Sequence, residues 1–196
     1  MKIRLVTVLF WAVGIISMEA GCARGDSVSS APSILTQVTS PIPPVKQPRD
    51  VSVLARRPCE LLTVEQARRF GLDLPPRQYD AALGDIGCEW ASVTRDRQVV
   101  RTVQVDTFID NPTLEVAYNK DKNRPYFELT DISGYPAIVS GTNADLPICD
   151  VDVKTAERQS FSLTYESKEF ARDPQQACVV AKQIAAAVLM NLPLKG

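Results

Sequence analysis

Hydrophobic positions follow three regimes along this chain. From Leu5 to Met18 they run on almost unbroken, from Ala23 to Asp50 they are scattered among Ser, Thr and Pro, and from Val51 onward they are periodic. The periodic part predicts the elements of a folded domain. Thr63-Val64-Glu65-Gln66 forms a capping box, in which the Thr hydroxyl accepts from the Gln66 backbone N–H and the Gln side chain reaches back. Leu62 and Ala67 take the staple positions, and Gly71 suits the C-terminal cap. Pro75-Pro76 then enforces an extended connection. Cys88 to Thr94 reads as a strand carrying Trp90, followed by the polar turn Arg95-Asp96-Arg97. Val99 to Phe108 alternates, with Val99, Arg101, Val103, Val105 and Thr107 on one face and the more polar residues on the other. That is the pattern of an antiparallel strand with one wet side.

Asn111-Pro112 opens a second helix whose apolar residues are Leu114, Val116, Ala117 and Tyr118, before a charged exit from Asn119 to Arg124. Strands are expected at Tyr126 to Ile132 and Tyr135 to Ser140, broken at Gly134, then in a hairpin of Ile148 to Val153 with Gln159 to Tyr165. The last helix is expected to start at Asp173 as N-cap, with Pro174 at its first position and Gln176 completing a capping-box variant. Ala177, Ala181, Ile184 and Val188 recur along it as a core face, and Pro193 ends it. The order α-β-β-α-β-β-β-β-α predicts an α+β domain: a single antiparallel sheet with helices packed on it.

The unbroken apolar run is a signal peptide by its flanks. Lys2 and Arg4 precede it, and Glu19 ends it short of the ~20 apolar residues that a membrane span needs. Small residues lead into Cys22, as in a bacterial lipobox, although Glu19 stands where Leu is usual and Met18 is one residue too early. Lipidation of Cys22 would place the protein on the outer face of the cell membrane. The alternative is ordinary secretion, with cleavage near Ala20 or Ala23. The scattered segment lacks aromatics and is rich in Pro and Ser, so it is expected to be a disordered tether reaching on the order of 30 Å. The expected organisation is signal peptide 1–21, lipidated Cys22 and tether 22–50, and folded domain 51–196.

Composition then removes whole classes of chemistry. The chain of 196 residues carries 22 basic and 23 acidic residues and no histidine. Catalysis by Ser-His-Asp or Cys-His, and metal binding by His, are excluded at once. No basic patch with interleaved aromatics supports nucleic-acid binding. Neither a C-x-x-C motif nor a calcium-loop pattern is present, and no cofactor or metal is implied. Beyond Cys22 the cysteines are Cys59, Cys88, Cys149 and Cys178, with equal separations within the first two and within the last two. Export to an oxidising compartment favours disulfides, and four cysteines allow three pairings. The local pairing Cys59–Cys88 and Cys149–Cys178 is preferred because each closes a moderate loop within one supersecondary unit.

Pro58-Cys59-Glu60-Leu61-Leu62-Thr63, Gly87-Cys88-Glu89-Trp90, Cys149-Asp150-Val151 and Ala177-Cys178 with its Ala-rich helix and Leu192-Pro193 occur in an order that resembles an actinobacterial lipoprotein family, the domain of unknown function 3558. The resemblance covers most of Val51 to Pro193. It implies an exported, membrane-anchored envelope protein with two structural disulfides, and it supplies no activity.

Three functions are compatible with these features. The first is a non-enzymatic binding or accessory module, with Tyr126, Phe127, Tyr135 and Pro136 lining a surface for a small apolar ligand or a partner peptide. The second is a carboxylate-dependent cell-wall hydrolase using residues among Asp106, Asp110, Asp145, Asp150 and Asp152. Of these, Asp150 and Asp152 share a strand face about 6.5–7 Å apart. The third is a structural partner of an envelope protein complex.

Overall fold

The structure is a computed structural model that describes residues 41–81, 86–111, 113–142, 148–171 and 173–196. The expected signal peptide, Cys22, most of the expected tether and Asp145 lie outside the described residues. Residues 39–196 form one compact unit. No helix among the described residues is long and apolar enough to cross a membrane.

Seven strands form one antiparallel sheet: β1 Arg77–Asp80, β2 Ile86–Val93, β3 Val99–Ile109, β4 Tyr126–Ile132, β5 Tyr135–Gly141, β6 Ile148–Ala156 and β7 Gln159–Ser167. Their order across the sheet is β1-β2-β3-β7-β6-β5-β4. Three α-helices accompany them: α1 Val64–Arg69, α2 Thr113–Asp121 and α3 Pro174–Asn191. The expected α+β class and single antiparallel sheet are what the chain adopts. The expected elements are present, with additions among the described residues: 3-10 turns at Pro58–Leu61 and Lys168–Phe170, and the short edge strand β1 after Pro75-Pro76.

Local chemistry accounts for the boundaries. Thr63 and Gln66 make both bonds of the capping box at α1, at 3.1 Å and 2.9 Å. Gly71 follows the helix at φ +71°, a conformation costly for residues with a side chain. Ser133 and Gly134 both have positive φ, the geometry of a two-residue hairpin turn, and so join β4 to β5. At the start of α3, Asp173 is the N-cap and Pro174 the first residue, as expected, but the capping-box bond differs. Asp173 makes no side-chain cap bond there; its backbone carbonyl accepts from Gln176 N at 3.1 Å instead.

The two faces of the sheet are built differently. On one, alternate strand residues including Trp90, Val103, Val105, Val139, Val151, Val153, Phe161, Leu163 and Tyr165 are buried in the main core. α3 lies over the β4–β7 half through Ala177, Ala181, Ile184 and Val188, all fully buried. The 3-10 turn Pro58–Leu61 and α1 cover the other half. Both disulfides cross this face. Cys59–Cys88 ties the 3-10 turn to β2, and Cys149–Cys178 ties β6 to α3, each with Cα atoms 5.1 Å apart. The preferred pairing is therefore the one found.

The opposite face carries only α2. The chain leaves β3 near the centre of the sheet and must reach the far edge at β4, about 19 Å away across four strand spacings. α2 makes that crossing over β7, β6 and β5. It is held by a small cluster of Leu114 and Ala117 with Ile138 and Ile42, and by Lys154 Nζ on Glu115 Oε1 at 2.9 Å. Val116, counted with the apolar residues of this helix from sequence, is 58% exposed and takes no part in that cluster.

Residues 41–50 do not belong to a free tether. Arg49 N donates to Thr155 O at 2.8 Å, Asp50 N to Pro193 O at 3.0 Å and Lys195 N to Pro48 O at 2.8 Å. The Tyr135 hydroxyl accepts from Arg49 Nε at 2.9 Å and donates to Gln47 O at 2.7 Å. Composition misplaces the boundary because prolines at 41, 43, 44 and 48 lower the entropy of the free chain. Few apolar contacts and a handful of backbone bonds then suffice to seat the segment.

Candidate functional site

A cleft of about 340 Å³ opens where α2 leaves the sheet face partly uncovered. Its floor is Asp150 and Asp152 of β6 with Ser162 and Thr164 of β7. Strand alternation puts these four on one side, since Val151, Val153, Phe161, Leu163 and Tyr165 claim the core side. Register then pairs them, Asp150 opposite Thr164 and Asp152 opposite Ser162. The wall is Val116, Ala117 and Lys120 of α2, and Phe108 and Asn111 at the end of β3 complete the cleft.

The charges at the α2 end form a chain. Arg124 Nη1 donates to Asp150 Oδ2 at 2.6 Å and to Ser140 Oγ at 3.2 Å, while its Nε stands 2.9 Å from Asp121 Oδ1. Thr164 Oγ1 donates to Asp150 Oδ1 at 2.8 Å, so both oxygens of Asp150 are engaged. Ser140 Oγ donates to Asp121 Oδ2 at 3.3 Å, and Lys120 Nζ lies 3.8 Å from that oxygen. Burial works against the Arg124 charge, but Asp150, Asp121 and Asp152 outweigh it and raise its pKa. Asp152 has no comparably close cation. Burial pushes its carboxyl up to about 6; Ser162 opposes the shift by donating a hydrogen bond, Asp150 reinforces it, Lys120 opposes it and Asp121 adds to it.

The structure sorts the acidic residues singled out by sequence. Asp150 and Asp152 do meet in one cleft. Asp106 stands on the same face, opposite Ser162 in register, and accepts from the Tyr79 hydroxyl at 2.7 Å. Asp110 lies at the end of β3 beside Arg158 Nε at 3.5 Å. Among the described residues no group of three or more Asp, Glu or Cys could hold a metal ion.

Tyr126, Phe127, Tyr135 and Pro136 do not share a surface. Register places Tyr126 and Tyr135 on the α3 face and Phe127 and Pro136 on the α2 face. Phe127 packs edge-on against Tyr118 at 5.7 Å, and Tyr135 is buried with its hydroxyl engaged. Tyr126 lines a hollow of about 280 Å³ beside Cys178. A more apolar hollow of about 250 Å³ lies between α1, Leu72 to Pro76 and Trp90.

Sequence inspection passed over Phe108, Lys120, Arg124, Ser162 and Thr164. The signal for the last two was present, because they alternate with Phe161, Leu163 and Tyr165 and must face away from the core. Arg124 was visible only as part of a charged exit, and its partner Asp150 lies on a strand far along the chain.

No curated protein and no solved structure matches this chain. A family model described as protein of unknown function (DUF3558) matches residues 18–191, nearly the whole of the chain, and the protein belongs to that family.

Proposed function

We propose that this protein is exported, anchored through lipid on Cys22, and acts as a non-enzymatic binding module of the cell envelope with the α2 cleft as its site. The observation that carries the binding role is the state of the cleft floor. Asp150 is held by Arg124 and Thr164 at both oxygens, and Asp152 accepts from Ser162. Such groups are preorganised to orient a ligand, and none stands free as a nucleophile. The two disulfides are compatible with an oxidising compartment outside the cytoplasm. A second acyl chain or a comparable signal would be needed for stable anchoring, which a diacylated Cys22 supplies.

The anchor is tested by detergent-phase partitioning. Wild type is expected in the detergent phase and Cys22→Ala in the aqueous phase, and equal partitioning of both into the aqueous phase removes the lipid claim. Affinity capture from intact envelopes, comparing wild type with Asp152→Asn, tests whether the cleft recruits a ligand.

One observation favours a second reading. Asp150 and Asp152 line a single cleft from alternate positions of β6, and hydrolysis by two carboxylates needs such a pair in one cleft. Release of reducing ends from purified cell wall, abolished by Asp152→Asn, would establish that reading in place of the first.

A further inference from the structure

We propose that the α2 cleft takes a neutral sugar, bound through its hydroxyl groups on Asp150, Asp152, Ser162 and Asn111 with its C–H face toward Phe108. This rests on the reading of the cleft as a binding site and names the ligand class. Charge weighs against the alternatives first. Asp121, Asp150 and Asp152 face Arg124 and Lys120, three carboxylates against two cations, so a phosphate or carboxylate ligand meets net repulsion. A ligand ammonium finds Asp121 and Asp150 already paired with Arg124. Arg124 spans Asp121 and Asp150, and Lys120 lines the cleft near Asp152 as a like charge to any incoming cation.

What remains, beside the single excess negative charge, is hydrogen-bonding capacity. An ionised carboxylate offers about four acceptor sites. Asp150 uses two of them on Arg124 and Thr164, and Asp152 accepts from Ser162. The remaining acceptors point to a ligand rich in donors, and sugar hydroxyls both donate and accept. The sheet spaces these groups on a grid of roughly 4.8 Å across strands and 6.5–7 Å along them, so neighbouring hydroxyls of one ring can be read by different side chains. Phe108 beside Val116 and Ala117 adds an apolar flank for the less polar face of such a ring. The volume of about 340 Å³ lies at the small end of small-molecule sites, suited to one or two rings.

The test is a titration of the labelled full chain, followed by backbone amide NMR. The probes are glucose, galactose, mannose, N-acetylglucosamine and their disaccharides, with butylamine and inorganic phosphate as the other arms. At least one saccharide is expected to move the amides of α2, β6 and β7 around the cleft. Asp152→Asn and Phe108→Ala should each weaken that binding by about tenfold, the effect of losing one oriented contact. Asp96→Asn, in the exposed turn between β2 and β3, should leave it unchanged, and retention of the native amide spectrum shows that each variant is folded. If butylamine moves the cleft amides and no saccharide does, the sugar class is overturned while the binding site stands. If no probe moves them, both the class and the reading of the cleft fall. Saccharide shifts confined to another surface also overturn the assignment.

Discussion

The two faces of this sheet answer to different physics. The α3 face is the dry one: its main core is covered by α3 over one half and by the 3-10 turn with α1 over the other, and both disulfides cross it. The α2 face is covered by one helix of nine residues, packed on a small apolar cluster and surrounded by charge. One layer of packing is enough to hold the fold, and this leaves the other face free to expose partnered polar groups. The apolar core and the polar cleft are therefore separated by the thickness of a strand: Val151 and Val153 point into the core while Asp150 and Asp152 point into the cleft.

Variants can break this contrast or make it sharper. Replacing both Cys149 and Cys178 by Ala should cost the most, about 3.5 kcal/mol from the entropy released to the unfolded chain, measured by urea denaturation followed at Trp90. Ile184→Ala, which opens a cavity on the dry face, should cost about 3 kcal/mol. Leu114→Ala under α2 should cost less, about 2 kcal/mol, because the smaller cluster there can collapse around the gap. Equal losses at these two positions would remove the distinction between the faces.

Asp152 supplies the pH test. Its carboxyl is raised from 3.8 to about 6 in the fold, so the native protein holds this proton more tightly than the unfolded chain. Its stabilising contribution is fully present below about pH 4 and is lost as pH rises through about 6. Asp152→Asn should remove that dependence and stabilise the protein at pH 7 by about 1–2 kcal/mol, a figure reduced for access of water at the cleft mouth. Comparing midpoints for wild type and variant at several pH values checks both the sign and the window. The smallest effect is expected at the cap of α1, where Thr63→Ala should cost about 1 kcal/mol in the same denaturation assay, without altering the cleft.

Sequence legibility follows the range of the interactions involved. The capping box at Thr63, the stripe of α3 and the alternation in β3 and β7 are local patterns, and the chain adopts them. Asp173 is the N-cap of α3 with Pro174 after it, as the sequence predicts, but the capping-box bond is absent because a suitable residue type is not yet a bond: its carbonyl, rather than its side chain, meets Gln176. The aromatic surface was misread because the four residues came from two strands whose register assigns them to opposite faces. The tether was overextended because backbone bonds to Thr155 and Pro193 have no local signature.

The sequence by itself determined the period of each element and which residues of a strand share a side, because each depends on near neighbours in the chain; the cysteine pairing it could only favour. Only the tertiary structure decided that β3 pairs with β7, that α2 therefore crosses above β5–β7, and that Arg124 reaches Asp150. Strand order is set by contacts between distant segments and by the packing of whole layers. The cleft exists because of that order: a helix that must travel from the centre of the sheet to its edge covers only part of the face it crosses.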